Sequence, residues 1–459
     1  MMRSLFSGVT GLKTHQTKMD VIGNNIANVN TVGFKSSNVT FSELMYQTTQ
    51  NASGANAATG RAGINAKQIG LGVTNGAINT NITTSGASQT TGNPFDIQIT
   101  GDSFFIVSDG SNNYFTRAGA FYVDGVGNLA MTSNGFTVMG WKEDPLAPGF
   151  IKKDTVQALQ ITSPENMQSD PEATTAAYMT GIIDKNTKSL TTSGQVINLS
   201  FYDNLGYSYV AKYNVTTSDA SKGIYKMTLS DIVYEDGAGT TQHLPAAQLP
   251  NINGSGGKDI YIVYDVATGR YKGWDASSTD TPANGPDVAF TMDFNQTDTP
   301  AFKDIGVNMK NTTMFDNNGT STVAAKAGNT DGQYAGRKVG TMSGVSVQTD
   351  GKIYAAYDNG TSKLLGQIAV ASFPNPSGLE KVGENLYQTT QNSGLFDGIG
   401  IDVTSDGIGK MQTGVLEMSN VDLSAEFTEM ITTQRGFQAN SRIITVSDSL
   451  LEELTNLKR

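Results

Sequence analysis

The run Leu423-Ser424-Ala425-Glu426-Phe427-Thr428-Glu429-Met430, continued to Arg459, decides how this chain is organised. Leu423, Met430, Phe437, Ile444 and Leu451 return at every seventh position, and Ile443, Leu450 and Leu457 make a second row beside them. Glu426, Glu429, Arg442, Asp448, Glu452 and Glu453 stand between the rows. An apolar repeat of seven held over roughly four to five heptads predicts a helix over 418–459 whose stripe is a coiled-coil seam. Such a stripe needs a cover, either another helix or the chain's own domain.

The amino end carries a second stripe. Leu5, Leu12, Met19 and Ile26 stand in sevens, Val9 and Ile22 fill in beside them, and Gln16 occupies a gap. Gly8, Gly11 and Gly23 each weaken this helix by up to about 1 kcal/mol relative to Ala, and a helix this short is marginal in water by itself. The two ends are read as one unit, able to cover each other or the same stripes in neighbouring copies.

Composition bounds the rest. The 459 residues allow about three domains. With 51 Gly, 16% charged residues and a net charge of −11, the chain reads as a β-rich body. An acidic balance argues against a nucleic-acid partner, because phosphate binding needs clustered Lys and Arg. There is no cysteine, which excludes disulfides, thiol catalysis and cysteine-ligated metals. No apolar run is long enough to span a membrane. The stretch Met1-Met2-Arg3-Ser4-Leu5-Phe6 is interrupted by Gly8, Thr10, Gly11 and Lys13, so no cleaved signal peptide is expected there.

Between the ends the material changes several times. Residues 33–92 contain the polar runs Asn51–Gly60 and Ala77–Gly92, whose apolar content is too small to offset ordering entropy, and are predicted as a linker. From Phe95 onward come short β-like runs: Ile97 and Ile99, Phe104–Val107, Tyr114-Phe115, Phe121–Val123 and Phe136–Trp141. Asp109-Gly110, Asp124-Gly125 and Asn134-Gly135 between them are hairpin signals. Proline-bearing sequence marks a boundary near 155, and 316–336 marks another. The strands between them, such as Val196–Phe201, Tyr207–Tyr213 and Ile260–Tyr264, suggest a sandwich or barrel. Strand signals resume at Ile353–Tyr357 and Gly366–Phe373. The predicted fold class is therefore mainly β globular domains with terminal α-helices forming a coiled-coil-like core, in a nested, discontinuous arrangement. Its parts are a helical core (1–32 and 418–459), a split first β domain (93–155 and 321–417) and an inserted β domain (156–320).

After the first helix comes a string holding Asn24, Asn25, Asn28, Asn30 and Thr31, closing on Gly33 and Phe34 before Lys35. Asn tolerates left-handed backbone and bonds its own main chain, so the string marks a helix terminus that turns in a defined way. It resembles the amino-terminal signature of the axial proteins of the bacterial flagellum, the rod and hook family. The stretch around Asn420, Val421 and Asp422, with Gln434, Arg435, Gln438 and Asn440, resembles that family's carboxy-terminal signature. Gly101–Phe105, Phe115–Gly119 and Pro374–Tyr387 resemble the two halves of its first globular domain.

The resemblance covers about residues 1–155 and 321–459, and its implications are specific. It implies a non-enzymatic structural subunit that polymerises into the hook, a flexible tubular joint carrying torque from rod to filament in motility. It implies export through the flagellar secretion channel to an extracellular position on the flagellum. The implied partners are further copies in a helical homopolymer, the rod, the hook cap, the hook–filament junction proteins and the export apparatus, without nucleic acid or membrane insertion. The expected polymerisation interface is Leu5, Val9, Leu12, Met19, Ile22 and Ile26 with Leu423, Phe427, Met430, Phe437, Ile444 and Leu451. Length favours a hook member over a distal rod or hook-associated subunit. A β-rich surface adhesin or hydrolase with oligomerising ends is the reading from a different class.

Residues that could carry chemistry do not assemble into a site. Ser103 in Gly-Asp-Ser suggests a nucleophile, but His15 and His243 are isolated and offer no convincing base or metal. Asp316-Asn317-Asn318-Gly319 departs from a calcium loop and reads better as an Asn-Gly turn. No catalytic residue, cofactor or metal is expected.

Overall fold

The computed structural model describes residues 2–54, 60–147, 149–236, 239–252, 257–294, 301–405 and 409–456. A long helix stands at each end, Met2–Ala27 and Leu423–Asn456, and the regular elements between them are nearly all strands. The carboxy-terminal helix starts at Leu423 rather than 418. Asp422 caps it, its Oδ1 accepting from the Ser424 and Ala425 amides at 2.8 and 3.3 Å. The residues before it, Val415–Glu417, pair as a strand with Ser88–Thr90. Leu457, expected in the second apolar row, lies outside the described residues.

Two compact units emerge. The first takes in Met1–Asn166, Gly344–Ala356 and Ser362–Arg459, and the second Met167–Ser343 and Tyr357–Thr361. The helices and the first β domain, expected as separate layers, belong to the same unit. Boundaries expected at 155 and 320 fall instead at 166 and 343. Gln157–Ala158 pairs with Thr137–Lys142 inside the first unit, and Ala324–Ala327 pairs with Ala176–Ile182 inside the second.

In the first unit, strands from both halves of the chain interleave. The antiparallel order runs Lys352–Tyr357, Ser362–Ile368, Thr137–Lys142, Phe104–Ser108, Asn113–Thr116, Leu386–Gln388, Glu380–Gly383. Gly140 faces Ile368 and Val138 faces Val107, so strands from both halves of the chain share one sheet. One face buries Phe104, Ile106, Phe115, Trp141, Phe373 and Tyr387. Phe115 and Phe373 meet edge to face at 4.8 Å. Trp141 Nε1 donates to the carbonyls of Asp154 and Ile399 at 2.9 and 3.0 Å, so its polar edge is satisfied inside the core.

The second unit is a sandwich. One sheet runs Gln195–Tyr202, Ser208–Asp219, Ile224–Glu235, Asp259–Tyr264, Tyr271–Asp275, and the other Asn251–Ile252, Phe290–Asp293, Ile305–Thr313, Ala176–Ile182, Ala324–Ala327. Their inner faces share a core that includes Leu199, Tyr213, Met227 and Ile262 from one sheet and Met179, Phe290 and Val307 from the other. Tyr264 donates from its buried hydroxyl to Thr312 Oγ1 at 2.8 Å.

Residues 33–92, expected as a linker, contain paired strands: Ser37–Glu43 with Val73–Thr80, and Tyr46–Gln50 with Lys67–Gly70. Their own apolar content is low, and what orders the first hairpin is the amino-terminal helix. Thr10 Oγ1 accepts from the Val73 amide at 3.3 Å, Asn75 Nδ2 donates to Thr17 Oγ1 at 3.1 Å, and Phe41 meets His15 edge to face.

Turn chemistry differs from the dipeptide reading at Asp124-Gly125. The residue with positive φ is Gly127, at 96°, while Asp124 Oδ1 accepts from the Val126 and Asn128 amides at 3.0 and 2.7 Å. Asp203 with Gly206 repeats the device. The Asp-x-x-Gly spacing lets the carboxylate satisfy amides that a two-residue turn would not expose.

The Asn128 amide above all holds the Asp124 carboxyl below its ordinary value of 3.8. A depressed carboxyl contributes stability above the unfolded value, and that contribution is lost as pH falls through the folded one. Asp124→Ala is expected to lower the urea midpoint at pH 7 and to converge with the parent chain as pH drops beneath 3.8. Urea titrations at both pH values check this.

Candidate assembly surface and its anchor

The two terminal helices lie antiparallel. Ser4 meets Ser447 hydroxyl to hydroxyl at 3.4 Å, Lys18 pairs with Glu429 at 3.0 Å, and Asn25 Nδ2 donates to Glu426 Oε1 at 2.9 Å. Gly8 and Gly11, which sequence reasoning counted only as weakening the helix, let the partner in closely. A Cβ on Gly8 would stand 3.2 Å from Ile444, and one on Gly11 2.7 Å from the Asn440 side chain. Gly436 does the same on the other helix, facing the His15 ring.

Within one chain the seam does not follow the two leucine rows alone. On the amino-terminal helix it runs through Ser4, Gly8, Gly11, His15, Lys18 and Asn25. Leu5, Leu12, Met19 and Ile26 sit beside it, half-buried; Ile22 is fully buried and Val9 is exposed. On the carboxy-terminal helix Met430, Phe437, Ile444 and Leu451 are half-buried, whereas Leu423 and Phe427 are exposed. Thr433 and Ser447 are the fully buried positions of that helix, so the intrachain seam is partly polar. Apolar side chains are left uncovered: Ile443, Val446, Leu450 and Leu454 share one face of the carboxy-terminal helix, Phe427 and Ile431 lie on another face near its start, and Phe6 and Val9 are exposed on the amino-terminal helix. Ile431 and Val446 are each 59% exposed and Phe6 61%. Full burial of a side chain this large is worth roughly 1.5–3 kcal/mol.

Within the first unit, a buried charge cluster ties the segments next to both helices to the sheet. Lys35 Nζ reaches Glu417 Oε1 at 2.7 Å and donates to the Thr84 carbonyl at 2.7 Å. Arg117 Nη1 stands 3.7 Å from Glu417 Oε2 and donates to the Ile99 carbonyl at 3.3 Å, while Nη2 donates to the Gly101 carbonyl. The Gly86 amide donates to Glu417 Oε1 at 3.0 Å. All three side chains are at most 1% exposed. Burial pulls the Lys35 ammonium below its ordinary value of 10.5 while Glu417 opposes the shift, and burial likewise lowers Arg117.

The signature residues frame this cluster. The Gly33 amide donates to the Glu417 carbonyl at 2.8 Å; its φ is 69°, and a Cβ there would stand 2.7 Å from the Ala118 nitrogen. Phe34 is buried beneath the Lys381 ammonium, 5.1 Å from the ring centre. Asn420 Oδ1 accepts from the Ser36 amide at 2.8 Å, and its Nδ2 donates to the carbonyls of Asn81 and Thr84. Asn25 bonds Ser37 in both directions. Asn28 Nδ2 donates to the Asn24 carbonyl, and Thr31 donates to Asn28 Oδ1. Asn30 is exposed and Val421 half-buried. Further along the helix, Arg435 donates to Gln438 at 3.1 Å, Gln434 is exposed, and Asn440 Nδ2 donates to the Gly436 carbonyl.

Sequence reasoning quoted Lys35 and Arg117 without giving them a role, and it missed Glu417. The available signal was a lone charge inside each of three otherwise uncharged runs, Gly33–Ser36, Phe115–Gly119 and Val415–Met418. Ser103, raised as a nucleophile, is buried with its hydroxyl unpartnered. Among the described residues no group of three or more His, Asp or Glu could hold a metal, and no helix is long and apolar enough to cross a membrane.

Comparison with known proteins finds three family matches along the chain. They are "Flagella basal body rod protein" over residues 5–35, "Flagellar hook protein FlgE/F/G D1 domain" over 98–174, and "Flagellar basal body rod FlgEFG protein C-terminal" over 412–457. The flagellar hook proteins FlgE of Treponema pallidum and Borreliella burgdorferi are each similar at 35% identity, with 100% of both chains covered. The flagellar basal-body rod protein FlgG of Bacillus subtilis is similar at 30% identity, again over 100% of both. Because a relative named as a rod protein aligns along its whole length, length does not by itself separate hook from rod here.

Replacing Glu417 by Gln would leave Lys35 and Arg117 buried without a compensating anion. The expected cost is about 3–5 kcal/mol, read as a fall in the denaturant midpoint of the first unit. A parent-like midpoint would show that the cluster does not hold the junction.

Proposed function

This chain belongs to the family of flagellar hook proteins, and from that premise we propose that it is a structural subunit polymerising into the hook. The observation that carries the reading is the apolar row that the helix pair leaves exposed, on a chain matched end to end by hook proteins. Helix pairs of adjacent copies bury these rows against one another and build the inner wall of a tube, in a coiled-coil-like core. The expected interface is thereby shifted: Met430, Phe437 and Ile444 line the seam within a chain, while Phe427, Ile431, Ile443 and Val446 meet other copies.

The β-rich parts of the chain then act as the shell around that wall, with residues 33–92 joining helices to shell. A non-enzymatic role fits, as do contacts with rod, cap and junction proteins at the ends of the polymer and passage through the flagellar export apparatus. The rod reading keeps the same interface and differs in position along the flagellum. The 35% identity to the hook proteins of Treponema pallidum and Borreliella burgdorferi, against 30% to the rod protein, favours the hook.

Purified chain is expected to assemble into tubes visible by electron microscopy. Ile443→Asp and Val446→Asp should leave circular dichroism and the globular units unchanged while raising the critical concentration at least about tenfold. Sedimentation of assembled material measures this. Assembly of both variants at the parent concentration would refute the interface.

A further inference from the structure

His15 sits where the two terminal helices and the first hairpin meet. Its ring lies so close to Gly436 that a Cβ there would stand 2.7 Å from the imidazole Cε1. Phe41, on the strand Ser37–Glu43, meets the same ring edge to face with 5.6 Å between centroids. The His15 Nδ1 is buried in this wedge without a hydrogen-bond partner. A neutral imidazole tolerates the position, because one ring nitrogen carries no hydrogen and Nδ1 can be that nitrogen. An imidazolium carries hydrogen on both, so protonation would leave a charged donor in the seam without an acceptor.

The acids on the elements packed against His15 are already engaged. One turn either side of Gly436 the facing helix offers Thr432, Thr433, Ala439 and Asn440, none of them charged. Further along that helix Glu429 is paired with Lys18 at 3.0 Å, Glu426 accepts from Asn25 Nδ2 at 2.9 Å, and Arg435 donates to Gln438. On the hairpin, Glu43 accepts from the Tyr46 hydroxyl at 2.8 Å. Lys18, one turn along His15's own helix, repels a second cation. Burial first, and Lys18 after it, lower His15 below its ordinary value of 6.5.

We propose that His15 is an acid-sensitive latch on the helix pair, letting the helices close when its ring is neutral and loosening them when the ring is protonated. The stability that depends on the neutral ring is complete above 6.5, falls as pH drops below that value, and levels off beneath the folded value. Glu426 acts with the opposite sign: burial above all raises its carboxyl over 4.5, so it takes up a proton more readily in the folded chain and gains stability as pH falls. Loosening by mild acid is therefore assigned to His15. Its consequence for assembly, a critical concentration that rises on acidification, rests on the polymer reading above.

With only 2 His in the chain the test is direct. His243 is exposed and pairs with Asp231 in the second unit, so His243→Gln leaves a single imidazole to follow by NMR in the full chain. That ring is expected to titrate with a midpoint below 6.5. Hydrogen exchange at about pH 7.5 and about pH 5, corrected for the intrinsic rate of free amides, should show protection lost along Met2–Ala27 on acidification. The loss is expected in the parent and in His243→Gln but not in His15→Gln. His15→Phe keeps an uncharged ring against Gly436 and serves where the Gln variant is already loose at neutral pH. A midpoint at or above 6.5, or an equal loss in the parent and both His15 variants, would overturn the latch. Protection lost without any change in critical concentration would keep the latch and overturn its role in assembly. A parent chain that forms no polymer would overturn the assembly reading and leave the latch to stand on hydrogen exchange.

Discussion

The structure depends on a carboxylate buried between two cations. Glu417 comes from the strand before the last helix, Lys35 from the turn after the first, and Arg117 from the sheet of the first unit. Three segments far apart in sequence are thus tied at one point from which water is excluded. Desolvating such charges is costly, and removing one partner is worse than never having the set. The cluster is therefore more a specification of geometry than a reserve of stability. It sets where both helices leave the β body, and so which of their faces remains open.

That constraint gives the signature residues a physical meaning. Gly33 allows the backbone to press against Ala118, and Asn420 bridges Ser36, Asn81 and Thr84. Asn25 ties the first helix to Ser37. These groups spend their hydrogen bonds within the chain. The surface left exposed is instead plain apolar, above all the row from Ile443 to Leu454, whose side chains have no directional demands. Specific polar contacts orient the helices, and in the proposed assembly non-directional burial joins copies. A joint that must tolerate changes of angle between neighbours is well served by that division, because apolar contacts shift with less loss than hydrogen bonds do.

Much of this was legible beforehand. The heptads at both ends gave two long helices, alternation and turn residues gave β domains, and the Asn-rich string gave a shaped helix exit. The interleaving of strands such as Thr137–Lys142 with Ser362–Ile368 was foreshadowed by matching halves on either side of the insert. Less was legible in 33–92, where hydrogen bonds from Thr10 and Thr17 replace the apolar burial a strand reading looks for. At Asp124 the turn was seen but its mechanism was not, since carboxylate capping with Gly127 competes with the two-residue hairpin.

Sequence by itself determined that both ends are helical and carry apolar surface in excess, because periodicity at seven is a local property written into side-chain order. Only the tertiary structure decided which row turns inward. Gly8, Gly11 and Gly436 remove the side chains that would keep the helices apart, and this draws the seam through small and polar positions beside the leucine row. Periodicity records which residues share a face but not how closely a partner approaches it. Closeness is set by backbone contact and by a charge cluster assembled from three distant segments, and neither leaves a repeating mark in the chain.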